Sequence, residues 1–224
     1  PIEPPATPPP EPVVSSEPVA PDRVKIRGGQ SRGKRVATFM LDRNEVTVEA
    51  YARCVAARAC HPASRGPGDH WHWQQPGRER YPINGVSAAS AQIYCQWVGA
   101  RLPSEREWAW AARGGPANLA YPWGNDPPTC AHAVMADCGP SHAAEVGSRP
   151  DGRSRDGILD LAGNVAEWTE NSASGFTEVW AVVVGGSYAN PAKSLGVHHR
   201  QSTLPPHFTV SPTIGFRCAA RPAK

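Results

Sequence analysis

The chain has 224 residues, a formal net charge of +3 and no segment dense in lysine or arginine, which argues against nucleic-acid binding through a basic stripe. No stretch approaches the roughly 18–20 consecutive apolar residues of a membrane span. The chain begins at Pro1 without a signal-like segment, so we expect any leader or anchor to lie upstream. Its 25 prolines and 21 glycines favour strands and loops over a helix bundle.

The first 22 residues, PIEPPATPPPEPVVSSEPVAPD, are rich in proline and contain little that could be buried. This composition predicts an extended, semi-rigid linker over residues 1–22 and one folded domain over residues 23–224. Such a linker would hold the domain away from a membrane or a preceding domain. A docking site for a proline-binding module is the alternative.

The ordered part is predicted to begin with strands over VKI and VATFMLD. Apolar residues at helical spacing then predict helices over residues 46–57, 87–98 and 104–113. Ser87 and Ser104 are the expected N-caps of the second and third helices, and Glu107 completes a capping box with Ser104. After residue 116 we expect loops and three short strands, over GILDL, VWAVVVGGSY and IGFRCAA.

The chain contains six cysteines, and none of them forms a C-x-x-C motif. An even number favours three disulfides and an oxidising compartment, with six free thiols as the alternative. Six cysteines allow about 15 sets of pairs, and their spacing alone does not select one.

Six segments occur in an order that identifies a family: FMLDRNEVTVEAYARC, YPINGVSAASAQIYCQWVGARLPSEREWAWAARGG, YPWGN, GILDLAGNVAEWTEN, GGSY and IGFRCAA. Together they resemble the formylglycine-generating enzyme, or sulfatase-modifying factor, family over residues 36–221. The resemblance implies an α+β, C-type-lectin-like fold with short twisted antiparallel strands, few helices and much irregular loop. It also implies a Cys95–Cys218 disulfide, and Cys54–Cys60 and Cys130–Cys138 are then the natural local pairs.

The enzymes of this family oxidise a cysteine in a sulfatase peptide to formylglycine, using copper held by two cysteines shortly after the GGS turn. Counted from Ser187, the corresponding positions hold Asn190 and Leu195, and no cysteine lies between Ser187 and Cys218. Neither side chain replaces a thiolate, the soft ligand that holds Cu(I). We therefore expect no copper and no formylglycine formation.

The histidines give little support to another metal centre. His198 and His199 are adjacent, so on a strand they point to opposite faces and do not chelate together. His70 and His72 could share a face, but a loop of aromatic rings and solvated imidazoles is the favoured interpretation. A second branch of the family forms sulfoxide bonds with iron, on a histidine-bearing helical domain that these 224 residues do not include.

The segment LDLAGNVAEWTEN resembles the family's calcium-binding turn. Calcium prefers several hard oxygens, from carboxylates and backbone carbonyls. The resemblance implies a structural Ca²⁺ bound by Glu167, with Asn164 as a helper and the carbonyls of Gly163 and Val165. A structural turn with Glu167 in a salt bridge is the alternative. The family's second calcium site uses an asparagine where this chain has Ala133, so we do not expect that site.

These observations favour a non-catalytic, extracytoplasmic binding or structural domain, a pseudoenzyme that recognises a protein or other envelope ligand through the former substrate surface. The alternatives are a copper-dependent formylglycine-generating oxidase and an architectural subunit of an envelope assembly. The candidate contacts are aromatic and polar side chains that commonly anchor interfaces: Trp71, Trp73, Tyr188, Asn190, His198, His199, Arg200 and His207.

Overall fold

Short strands, helices and long irregular segments alternate along the chain. The structure is a computed structural model that describes residues 15–222 except for residues 32, 140, 171, 174–178, 199, 206 and 208. The helices are α1 (Val48–Ala56), α2 (Ala88–Trp97) and α3 (Glu105–Ala112). The strands are β1 (Arg23–Ile26), β2 (Gly29–Ser31), β3 (Lys34–Val36), β4 (Phe39–Asp42), β5 (Ala166–Trp168), β6 (Ser172–Ala173), β7 (Val179–Val184), β8 (Arg200–Leu204), β9 (Ile214–Gly215) and β10 (Ala219–Ala220).

The strands form three small sheets. One has the order β1-β4-β10, the hairpin β2-β3 is the second, and the third has the order β6-β7-β5-β9 with β8 also paired to β7. All pairs are antiparallel except β5 with β9. This arrangement confirms the predicted α+β class.

The helix starts follow local capping signals. Ser87 and Ser104 cap α2 and α3 as predicted, and Glu107 completes the capping box. The first helix begins at Val48, two residues later than predicted, because the Thr47 side chain accepts a hydrogen bond from the Ala50 amide and caps it.

The predicted strand over GILDL is wrong, since residues 157–161 form an irregular segment. Asp160 adopts a φ of 57°, in the left-handed region, which is incompatible with an extended strand. Ile158 and Leu161 are nevertheless fully buried. The apolar run GILDL therefore predicted burial correctly and secondary structure incorrectly.

Strand β7 separates two apolar cores. Ala181 and Val183 face the core that holds α1 and α2, whereas Val182 and Val184 face the core that holds β1, β4 and α3. Because alternate residues of a strand point to opposite faces, a strand buried on both faces is apolar throughout. The run AVVV meets this requirement.

Three disulfides crosslink the domain, and they confirm the family bridge and both local pairs that we expected. Cys54 is bonded to Cys60, Cys95 to Cys218 and Cys130 to Cys138, and no free cysteine remains among the six. The second bridge joins positions 123 residues apart and ties α2 to the segment before β10.

The N-terminal boundary of the domain stays a prediction. Residues 1–14 lie outside the described part, and residues 15–22 contain neither helix nor strand. Asp22 pairs with Arg43 through a 2.7 Å ion pair. No helix in the described part of the chain has the length and apolar character needed to cross a membrane.

Candidate functional site

A buried ion pair stands at the centre of the domain. The Arg217 guanidinium donates to both carboxylate oxygens of Glu167, with a shortest distance of 2.7 Å, and both side chains are almost fully buried. The Trp108 indole N–H donates to the same carboxylate at 2.8 Å. Arg217 also donates to the carbonyls of Arg43 and Leu159. Glu167 thus forms the salt bridge that was its alternative role.

Two further carboxylates lie close to this pair, and sequence reasoning missed both. Glu45 accepts hydrogen bonds from the Asn164 amide group at 2.6 Å and from the Val165 N–H at 3.1 Å. Asp160 accepts one from the Gly147 N–H at 2.6 Å. Burial, together with the charges of Asp160 and Glu167, raises the pKa of Glu45 well above its usual value. Burial likewise raises the pKa of Asp160 to about 6.

This polar cluster contains three carboxyl groups beside one guanidinium, and burial favours the uncharged form of Glu45. The predicted calcium ligands fit only in part. Both oxygens of Glu167 already accept hydrogen bonds, and the Asn164 oxygen accepts one from the Ala144 N–H at 2.9 Å. Within the described residues, the carbonyl oxygens of Gly163 and Val165 accept no hydrogen bond.

A second set of oxygens lies close by, although both oxygens of Glu45 and one of Asp160 also accept hydrogen bonds. The Asn44 side-chain oxygen is buried without a hydrogen-bond partner in the described structure, and it lies beside Gly147, whose N–H binds Asp160. A cavity of about 210 Å³ reaches Asn44 and Glu45. No three His, Cys, Asp or Glu side chains of the described residues are arranged to hold a metal. Calcium here would therefore need carbonyl and amide oxygens in addition to Glu45 and Asp160.

Asn190 and Leu195, which we predicted at the positions of the enzymes' thiols, make structural contacts. The Asn190 side-chain oxygen accepts hydrogen bonds from the N–H and the hydroxyl of Ser187, both at 2.9 Å, and closes the turn after the GGS motif. Leu195 is 1% exposed and packs in an apolar cluster with Ala162 and Met135. These residues do not fit copper, because neither offers a thiolate and one is an aliphatic core residue.

The predicted ligand contacts separate into different parts of the molecule. Tyr188 lies beside His70, with parallel rings 6.2 Å apart, and the half-buried Trp71 packs against Gly66 and Gly85 nearby in the same loop. The structure places Trp73 in the core, 6% exposed and 5.8 Å from the Tyr51 ring, so Trp73 leaves the set of candidate contacts.

Three predicted histidine contacts follow Tyr188 in the sequence, and the structure describes two of them, His198 and His207. His198 is exposed and lines a cavity beside α3 that includes neither Tyr188 nor Asn190. His207 is also exposed. His199 lies outside the described residues. Arg200 begins β8 and pairs with Val184, and its side chain is not among those described.

The Asn84 side chain holds the loop of His70 and His72 through hydrogen bonds to its backbone. The Asn84 side chain accepts from the His72 N–H at 3.0 Å and donates to the His70 carbonyl at 2.7 Å. The His72 ring is fully buried, and its Nδ1 donates to the Pro82 carbonyl at 2.8 Å. Burial lowers the pKa of His72 to about 4. Among the described residues, neither His72 Nε2 nor His70 Nδ1 has a hydrogen-bond partner, although both atoms are buried.

Several known proteins are similar to this chain in sequence or in architecture. Residues 15–222 match the family model of the sulfatase-modifying factor enzyme 1-like domain. The chain is 33% identical to the inactive C-alpha-formylglycine-generating enzyme 2 of Bos taurus over 174 residues, which is 69% of this chain and 58% of the bovine protein. It is 32% identical over 186 residues to the formylglycine-generating enzyme of Streptomyces coelicolor, covering 66% of this chain and 58% of that enzyme.

The solved structure of CarF superimposes with a TM-score of 0.74 and 22% identity, over 92% of this chain and all of that one. This likeness and the family match confirm the predicted C-type-lectin-like fold. The chain spans only 58% of the length of the bovine and Streptomyces relatives.

Proposed function

Since the chain belongs to the sulfatase-modifying factor family, we propose that it is a non-catalytic member that binds a ligand through the surface used for substrate in the enzymes. The observation that carries this proposal is the structural use of both thiol positions. Asn190 closes a turn and Leu195 fills a core, while all six cysteines of the chain are bonded in disulfides. Similarity to a relative named as inactive supports the same conclusion.

The compartment follows from the disulfides. Three bridges are typical of proteins that mature in an oxidising environment, and they suggest an extracytoplasmic or secretory location here. We propose the cell envelope or its exterior. The proline-rich start suits a tether to a preceding segment.

The ligand surface that we propose is formed by the half-buried His70 and Trp71, together with the Tyr188 ring, which is 5% exposed and packs against the His70 ring. Buried polar atoms in proteins are normally hydrogen-bonded. A hydrogen bond to a ligand group or to a bridging water would satisfy the His70 Nδ1 atom, which has no partner in the described structure. Aromatic side chains with one polar handle are common anchors of protein interfaces. The ligand that we propose is a protein or another envelope component with hydrogen-bonding groups.

A crosslinking pull-down from the host's envelope fraction tests this function. The full chain serves as one bait, and a His70→Ala/Tyr188→Phe variant as the second. His61→Ala is the matched control, because His61 is an exposed histidine on the same loop. We expect a partner that the wild type and the control capture and the double variant loses.

Other outcomes have defined meanings. Equal capture by all three baits would contradict the assigned surface, and recovery in one stoichiometric complex would favour an architectural subunit. An independent check incubates the chain with a sulfatase-type peptide, copper and oxygen. A mass loss at the peptide cysteine would overturn the non-catalytic proposal.

We also propose one structural Ca²⁺, bound by Glu45, Asp160, Asn44 and the carbonyls of Gly163 and Val165. The proposal is supported by the three buried carboxyl groups beside one guanidinium and by the unpartnered Asn44 oxygen. Calcium at about 100 times its dissociation constant would stabilise the fold by about 2.7 kcal/mol. In a domain of this size that corresponds to a melting temperature higher by about 5–10 °C.

Thermal unfolding with calcium or with EDTA measures this shift. We expect Glu45→Gln to abolish it and Glu145→Gln, which changes an exposed carboxylate, to preserve it. A wild-type melting temperature that is the same in both buffers would refute the calcium proposal.

A further inference from the structure

A second cavity, of about 560 Å³, lies between the β2–β3 hairpin and helix α3. Its lining includes none of the three residues of the proposed ligand surface, His70, Trp71 and Tyr188. Small-molecule sites in proteins commonly have volumes of about 300–1,000 Å³. The cavity therefore has the size of a ligand site and a location of its own.

One side of this cavity contains a positioned cation. Arg113 is 6% exposed, donates a hydrogen bond to the Ser31 hydroxyl, and holds its guanidinium 5.3 Å from the centre of the Trp110 ring. A buried guanidinium held by hydrogen bonding and ring contact loses little freedom when an anion approaches, so it is a suitable base for an anion site.

Two more cations line the cavity, Lys34 from β3 and Arg106 from α3. In the described part of the chain, neither forms an ion pair or a hydrogen bond. Arg101, close to the same end of α3, is by contrast paired with Glu107 at 2.6 Å. The charges of Lys34 and Arg106 are thus available to a ligand at the cavity, whereas the charge of Arg101 is already paired.

The remaining lining residues narrow the class of ligand. Ala109 and Val197 contribute apolar surface, which favours an organic molecule over an inorganic ion. Two carboxylates, Glu105 and Glu170, also line the cavity, and Glu170 lies near enough to Arg101 to help raise the pKa of that guanidinium. Carboxylates at these positions oppose an extended polyanion such as nucleic acid but leave a small anion free to bind beside Lys34 and Arg106.

We propose that this cavity is a second ligand site, which takes a small organic anion with two negatively charged groups. Arg106 and Lys34 would bind one charged group each, and Arg113 would strengthen the positive field from within. His198 is exposed at the same cavity and would contact the ligand there, instead of at the surface around Tyr188.

Titration calorimetry of the full chain with glutarate, with inorganic phosphate and with the uncharged diamide glutaramide tests the proposal. We expect saturable binding of glutarate, none of glutaramide, and a loss of about tenfold in affinity for each of Lys34→Gln and Arg106→Gln, since each removes a charge-assisted hydrogen bond. Tighter binding of phosphate would support the site and assign it to phosphate-bearing ligands.

Arg35→Gln is the matched control, because Arg35 lies next to Lys34 on the same hairpin, lines a different groove and carries the same charge. We expect it to retain wild-type affinity, as should the His70→Ala/Tyr188→Phe variant, which separates this site from the proposed function. An equal loss in the Lys34, Arg106 and Arg35 variants, or no saturable binding of glutarate or phosphate at millimolar concentration, would refute the site.

Discussion

The surroundings of Arg217 and those of Tyr188 both contain buried polar groups, but they satisfy them differently. Around Arg217, the guanidinium and both oxygens of Glu167 are bonded to protein atoms. Beside Tyr188, a ring nitrogen of His70 and one of His72 have no partner in the described structure. Because leaving a buried polar group unbonded costs about 1–3 kcal/mol, the Arg217–Glu167 pair with its direct partners is a self-contained frame, whereas the loop beside Tyr188 depends on water or a ligand.

The largest expected effect is a difference in the unfolding free energy lost when one disulfide of each region is removed. Cys218 adjoins Arg217, and its N–H donates to Asp42, whereas the Cys130–Cys138 loop contacts the Asn190 turn. Loop-closure entropy assigns about 5 kcal/mol to a bridge spanning about 123 residues and about 2.5 kcal/mol to one spanning about 8.

We therefore expect a Cys95→Ala/Cys218→Ala variant to lose about twice as much unfolding free energy as a Cys130→Ala/Cys138→Ala variant. Urea denaturation of both variants measures the ratio. Equal losses would contradict the loop-length argument that ranks the two bridges.

The next effect concerns the ion pair itself. Removing one partner of a buried pair leaves an uncompensated charge and costs about 3–5 kcal/mol. We expect this loss for Arg217→Met and for Glu167→Gln, again in urea unfolding. Arg53→Ala is the control, since Arg53 forms only an exposed pair with Glu49, worth less than about 0.5 kcal/mol. If Arg217→Met costs no more than this control, the cluster around Arg217 is not the frame described above.

A third effect is a pH dependence of stability, and it arises from His72 in the loop beside Tyr188. Burial lowers the pKa of His72 to about 4 in the folded chain, against 6.5 for an ordinary histidine. Between these two pH values the unfolded chain therefore binds a proton at His72 that the native state does not bind. Stability from this group is complete above about pH 6.5, falls as the pH decreases through the window, and is lost by about pH 4, a change of roughly 3 kcal/mol.

Unfolding free energies at about pH 7 and about pH 4.5 measure this dependence. We expect the wild type to lose more stability between them than His72→Gln does, since the variant lacks the titrating ring. His61→Gln, which removes an exposed histidine, should behave as the wild type does. An identical pH dependence for wild type and His72→Gln would show that the buried ring is protonated without cost.

Local signals in the sequence predicted the features that depend on local contacts. The Ser104–Glu107 capping box spans three residues, and each of its hydrogen bonds forms within one turn. The family motifs identified the fold because all six occur in the expected order along the chain. The alternating burial of β7 on two cores needed the structure, because an apolar run has the same sequence whichever cores it separates.

The polar cluster could not be derived from sequence because its partners are remote. Glu45 meets Asn164 across 119 positions, and Arg217 meets Glu167 across 50. Nothing in the residue types alone distinguishes Glu45 from a solvated glutamate ahead of a helix. Trp73 was misassigned for a related reason, since an aromatic residue in a polar loop gives no indication of which ring faces the core.

The smallest expected effect tests the turn that replaces the thiol site. Asn190→Ala removes the acceptor of two hydrogen bonds from Ser187, so we expect a loss of about 1–2 kcal/mol in unfolding free energy. Asn190→Asp keeps the acceptor oxygens and should lose less than the alanine variant. Lys193→Ala, at an exposed position in the same segment, should stay within about 0.5 kcal/mol of the wild type. If Asn190→Ala matches Lys193→Ala instead, the side chain at position 190 is not needed for the turn, and its identity would then be explained by a ligand and not by the fold.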